Sequence, residues 1–314
     1  MAGTFLLNAS LILLFATALL LWYRSSGFLL LHLAAFAIIP AYLTLTMLRL
    51  TGHEALRRAD GTLDAFAIAL LGAAIIVSAS LAAALNATLF RPASGMYENR
   101  QRLLRPIGDR GQAIVGGIAL NAIAGSAIAI AYGPEVHPLD RGPFFVEHSF
   151  WMLSGTAFQV ATAAICIAVF ACVAAVLRRS DLGLTIRAAA SNPSVAANLG
   201  IRPLRVAAIG TFLGALVAGV AGALAAFDAG LVPELGIRWL LYGITAAVVA
   251  GANLEQGFYP GVAIGAILIS LLIGLVGALL NPSWATAAVF VVLAVSLRLF
   301  REGIFPARGT LRRG

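Results

Sequence analysis

Residues 178–205 read RRSDLGLTIRAAASNPSVAANLGIRPLR, a polar interruption with five arginines and one acid between two apolar stretches that are each long enough to cross a bilayer. The interruption carries its own helix signals. Asn192 suits an N-cap, Pro193 the first helical position and Gly200 the far end, which predicts a short helix between them. Such a helix in a basic loop has to be presented to something.

Outward from this segment the chain is apolar. Of its 314 residues 61% are hydrophobic and only 11% charged, and mean hydropathy is +0.96, which places it among integral membrane proteins. A bilayer core of ~30 Å takes ~20 apolar residues per helix. That ruler gives nine candidate spans: 5–23, 27–48, 62–85, 112–132, 156–177, 204–227, 237–251, 258–280 and 283–300. The seventh is short, and only Asn281-Pro282 divides the last two, so a count of eight stays open. The expected fold is an all-α polytopic transmembrane bundle of eight or nine spans. The first run has no basic region before it and continues to Tyr23, so it reads as a retained span rather than a cleaved signal.

Charge orients the bundle. All 21 basic residues are arginine, and the formal net charge is +8. The arginines fall in loops, which points to membrane orientation rather than nucleic acid. With the N-terminus outside and nine spans, the inner side holds 16 basic and 5 acidic residues, and the outer side 5 and 8. A balance of +11 against −3 favours N-out and C-in. Arg49, Arg57 and Arg58 fall outside in this arrangement, diluted by Glu54, Asp60 and Asp64.

Cys166 and Cys172 are six residues apart on one apolar stretch, about 9 Å along a helix, which is beyond disulfide reach. Small residues crowd the spans. Gly210, Gly214 and Gly222 are spaced by multiples of four and make faces on which helices pack closely.

The stretch from Gly183 to Phe227 resembles permease subunits of bacterial ABC importers for branched-chain amino acids. The pattern RA-x-x-x-NP-x-x-A-x-x-x-GI is met by Arg187, Ala188, Asn192, Pro193, Ala196, Gly200 and Ile201. Further on, Gly251, Gly257, Pro260, Gly261 and Gly265 match the family's late glycine-rich turn, and Arg301, Gly303, Ile304 and Phe305 its closing tail. Earlier in the chain His32, Phe36 and Ala41-Tyr42 resemble its second span, with Pro40 where glycine is usual, and Phe90-Arg91-Pro92 matches a motif after the third.

The resemblance implies a single transmembrane permease domain over 1–314 whose loop 178–205 couples to an ATPase. It also implies two ATP-binding subunits, a sister permease or second copy, an external solute-binding protein, surrounding lipid and the bacterial inner membrane. ATP would be hydrolysed by the partners, with no cofactor or metal held by this chain. The sequence agrees, since a Walker A motif needs a lysine and there is none. The coupling residues are then Arg187, Ala188, Asn192, Pro193, Ala196, Ala197, Gly200 and Ile201. Ala188, Ala189, Ala190, Ala196 and Ala197 keep the surface low, while Arg187 and Arg202 flank the short helix and can pair with acids on a partner.

Polar side chains within spans are costly and mark candidates for the translocation path: His32, Asn121, Gln159 and Tyr42, with Phe36 beside them. Pro40 should open backbone groups to a cavity. No acid lies mid-span, which weighs against an ion-coupled carrier, and no catalytic constellation stands out. Urea or short amides are the alternative solutes for this type of permease.

Overall fold

Apolar helices dominate the computed structural model, which describes residues 2–26, 31–51, 65–89, 106–133, 135–136, 147–150, 153–191, 193–250, 260–281 and 283–299. The helices are α1 (Ala2–Ser26), α2 (Leu33–Leu50), α3 (Ala65–Leu89), α4 (Pro106–Tyr132), α5 (Ala157–Arg179), α6 (Asp181–Ser191), α7 (Pro193–Asn198), α8 (Pro203–Ala229), α9 (Leu235–Val249), α10 (Pro260–Leu279) and α11 (Trp284–Leu299). Seven of them are long and apolar enough to cross a membrane: α1, α2, α3, α4, α5, α8 and α10. A helix also stands at each of the other two expected spans, but α9 and α11 have 15 and 16 residues, short of a straight crossing. Asn281 separates α10 from α11, its carbonyl accepting the Trp284 amide at 2.9 Å.

The architecture is helical as expected, with one short hairpin between two of the helices. Glu147–Phe150 and Leu153–Thr156 form β1 and β2, an antiparallel pair with Glu147 opposite Thr156 and Phe150 opposite Leu153. This chain lies between two spans, where no bilayer forces its amides into a helix, and strand pairing satisfies them instead.

The chain divides into two compact units. One comprises Met1–Leu20, Val146–Leu184 and Arg238–Gly314. In it Gly243 of α9 lies against Phe15 and Ala16 of α1, and Gly265 of α10 against Ala246 and Ala250 of α9. Phe15 stacks on Trp239 with ring centroids 6.2 Å apart. Ser270 donates to the Phe5 carbonyl at 2.9 Å, and the Tyr242 hydroxyl meets that of Thr286 at 2.8 Å. Cys166 is buried and Cys172 exposed, and both are free thiols.

The other unit comprises Leu21–Phe145 and Thr185–Ile237, and its centre is the mutual packing of α2, α3 and α8. Glycines on α8 set the approach. A Cβ at Gly222 would overlap the Ala37 carbonyl, one at Gly210 the Ser25 side chain, and one at Gly219 would press on Pro40 and Ile75. Gly210 and Gly222 thus act as their spacing suggests. Asn86 of α3 donates to the Thr211 hydroxyl of α8 at 2.6 Å, a buried polar tie between two apolar faces.

Pro40 does not leave α2 open. A proline at 40 has no amide for the carbonyl of Phe36, one turn back. The Ser78 hydroxyl of α3 donates to that carbonyl at 3.1 Å, and Thr44 donates to the Pro40 carbonyl at 2.8 Å. The helix runs unbroken from Leu33 to Leu50, and the backbone opening expected at Pro40 is filled from the neighbouring helix.

Candidate functional site

The segment 178–205 folds as two helices, not one. Ser180 ends α5 and starts α6: its hydroxyl donates to the Val176 carbonyl and accepts the Gly183 amide at 3.3 Å, with Asp181 in the first turn. A side chain at Gly183 would overlap the Leu177 carbonyl, so the tight corner between α5 and α6 needs a residue without one. Ser180-Asp181 is itself a helix-start signal, legible in the sequence but overshadowed by the stronger pair Asn192-Pro193.

As a result Arg187 and Ala188 lie on α6 rather than flanking the short helix, both half-buried, with Ile186 and Ala189 buried between exposed Leu182 and Leu184 and the segment's next turn. The expected short helix is α7, which begins at Pro193; Asn192 lies outside the described residues. Its far end closes as the glycine suggests. Gly200 adopts φ +84°, its amide bonds the Ala197 carbonyl at 3.0 Å, and the Ile201 amide reaches back to the Ala196 carbonyl at 3.0 Å. These two bonds make a Schellman closure, with Ile201 half-buried beyond it. Ala196 is 2% exposed, whereas Val195, Ala197, Asn198, Leu199 and Gly200 are exposed. Ala196 therefore marks the inner side of α7, and Ala197 beside it points outward.

The path candidates divide between the units. His32 and Phe36 are buried on consecutive turns at the start of α2, with ring centroids 5.8 Å apart, and Trp22 meets His32 edge-on at 5.0 Å. Tyr42 lies further along α2, buried, its ring 4.9 Å from that of Tyr132 at the end of α4. Asn121 is half-buried on α4, and Gln159 is half-buried on the first turn of α5 in the other unit. Sequence reasoning missed Trp22, Thr46 and Tyr132. Each stands near a span end, where an aromatic or hydroxyl residue is ordinary at an interface. The match at Gly251–Tyr259 and the C-terminal tail from Phe300 lie outside the described residues. Among the described residues no group of three or more His, Cys, Asp or Glu could hold a metal ion.

Seven bilayer-length helices and a folded polar segment between two of them define a multi-pass membrane protein. The chain belongs to the family described as branched-chain amino acid transport system / permease component, whose sequence profile matches residues 1–297. It is a transport permease. Similar proteins include the high-affinity branched-chain amino acid transport system permease protein LivH of Escherichia coli strain K12, 25% identical over 236 residues that cover 74% of this chain and 71% of LivH. LivH of Salmonella typhimurium strain LT2 is 32% identical over 129 residues, 41% of each chain. No solved structure matches.

Proposed function

We propose that this chain is the membrane-spanning permease of an ATP-driven importer for branched-chain amino acids in the bacterial inner membrane. The family match over residues 1–297 carries the reading. The family and both relatives bear the branched-chain description, which leaves urea, short amides and ion-coupled transport without support. The chain works with two ATP-binding subunits, a sister permease or second copy, and an external binding protein that delivers the solute.

In this reading the chain passes the membrane eight or nine times, N-terminus outside, with 178–205 in the cytoplasm, and its energy arrives mechanically at that segment. Helix α7 suits such a role. It is short, closed by its own hydrogen bonds at Gly200, and joined through Ile201 and Arg202 directly to α8, whose glycines seat it against α2. A push on Ala197 or Leu199 is then passed to α8 as a rigid displacement. Arg187, Ala188, Asn192, Pro193, Ala196 and Ile201 build and brace the contact, while His32, Phe36, Tyr42, Asn121 and Gln159 serve the path.

Cells deprived of this chain should lose high-affinity uptake of labelled leucine, isoleucine and valine, and regain it with a plasmid copy. Unchanged uptake of all three would count against the reading.

A further inference from the structure

The buried hydrogen bond from Asn86 to Thr211 lies close to where α7 hands over to α8. Helices α3 and α8 run antiparallel, since Ile75 of α3 lies beside Gly219 of α8 while the later Asn86 meets the earlier Thr211. The last turns of α3 therefore share an end with the first turns of α8, the end that Ile201 and Arg202 join to α7. Thr211 stands about 12 Å along α8 from Pro203, two helical turns in.

A polar pair is not needed to hold these helices together. Gly210 against Ser25, Gly219 against Pro40 and Ile75, and Gly222 against Ala37 already bring α8 close to its neighbours. Such contacts are non-directional, and they hold helices near one another without fixing a single register. A hydrogen bond weakens steeply when its angle is lost, so one amide on one hydroxyl fixes the register of α8 against α3. Setting register is the best-attested use of a polar pair buried among apolar side chains.

The register carries further. Ser78 lies about 12 Å from Asn86 along α3, and it donates to the Phe36 carbonyl of α2 at 3.1 Å. One rigid helix is thus tied near one end to the start of α8, and nearer its middle to the turn of α2 that carries Phe36. Both ties lie within a single compact unit. We propose that Asn86 and Thr211 are the positioning pair that passes a displacement of α7 and α8 to α3, and through Ser78 to the Phe36 turn of α2. This rests on the reading of 178–205 as the segment where energy arrives, and it adds where the movement leaves α8. Both residues act through α3 rather than on the solute.

The test uses the complete transporter with its binding protein in proteoliposomes, and reads leucine accumulated per ATP hydrolysed. The double variant Asn86→Leu with Thr211→Val keeps both shapes and leaves no buried group unsatisfied. It should retain the wild-type melting temperature and basal ATP hydrolysis. Its leucine accumulated per ATP should fall about fivefold, the worth of one interhelical hydrogen bond in a bilayer. Thr211→Ser, which keeps the hydroxyl, should hold the wild-type ratio. A wild-type ratio in the double variant overturns the proposal. Loss of the assembled complex in that variant overturns it as well, because the bond then serves stability alone. So does an equal fall in Thr211→Ser, which would make the hydroxyl irrelevant. Leucine uptake by the wild-type complex is measured in parallel. Its failure refutes the importer reading, whereas normal wild-type uptake with an unchanged ratio in the double variant refutes the positioning pair alone.

Discussion

At the scale of single residues, Pro40 and Ser78 form a matched pair. The proline deletes one amide from the middle of α2, and a hydroxyl from α3 supplies the missing donor to Phe36. In a bilayer nothing else can do so cheaply. Ser78→Ala should therefore cost about 1 kcal/mol in the presence of Pro40, and far less in a Pro40→Ala background, where the amide is restored. A double-mutant cycle on unfolding in detergent reads the coupling; additive costs would refute the pairing. Glycines sort in the same way. Gly222 faces the Ala37 carbonyl, while nothing lies within 4 Å of a Cβ at Gly125. Gly222→Ala should lower the melting temperature in detergent, at a cost of about 1–3 kcal/mol, with Gly125→Ala near neutral. The sequence marks Pro40 and Gly222 as unusual, yet their partners lie 38 and 185 residues away along the chain, a distance that no local pattern spans.

At the scale of elements, the ends of α7 follow from residues next to them. Pro193 opens the helix and Gly200 turns it off, because both act through their own backbone torsions. Which side of the helix faces inward does not follow, since an alanine face carries no hydrophobic stripe to read. Ala196 and Ala197 are chemically identical neighbours, one buried and one exposed. Docking is therefore best probed at Ala197. Ala197→Glu should abolish co-purification of the ATP-binding subunits and reduce uptake at least tenfold, while the permease keeps its melting temperature. Retained assembly and transport would show that α7 is not the docking face. Ala196→Arg, by contrast, should destabilise the permease itself, since its side chain has no room on the inner side. Helix α6 is easily passed over for another reason: its cap at Ser180 is the single residue between the end of α5 and its own first turn, so no loop sets it apart.

At the scale of the whole molecule, nine apolar stretches become nine helices because bilayer thickness and backbone hydrogen bonding leave little choice. Their lengths do differ. Helices α9 and α11, with 15 and 16 described residues, are the shortest of the nine, which the apolar runs alone conceal because the flanking residues 250–252 and 300 are apolar or small as well. The solute is least legible of all, because the spans carry almost no charge from which its chemistry could be read. The central claim is a property of the assembled machine and is best measured there. Proteoliposomes containing this chain, its sister permease and both ATP-binding subunits should accumulate labelled leucine when liganded binding protein is outside and ATP inside. Accumulation should cease when ATP is replaced by a non-hydrolysable analogue. Leucine uptake that persists without ATP hydrolysis, or no uptake by the complete complex, would contradict the account.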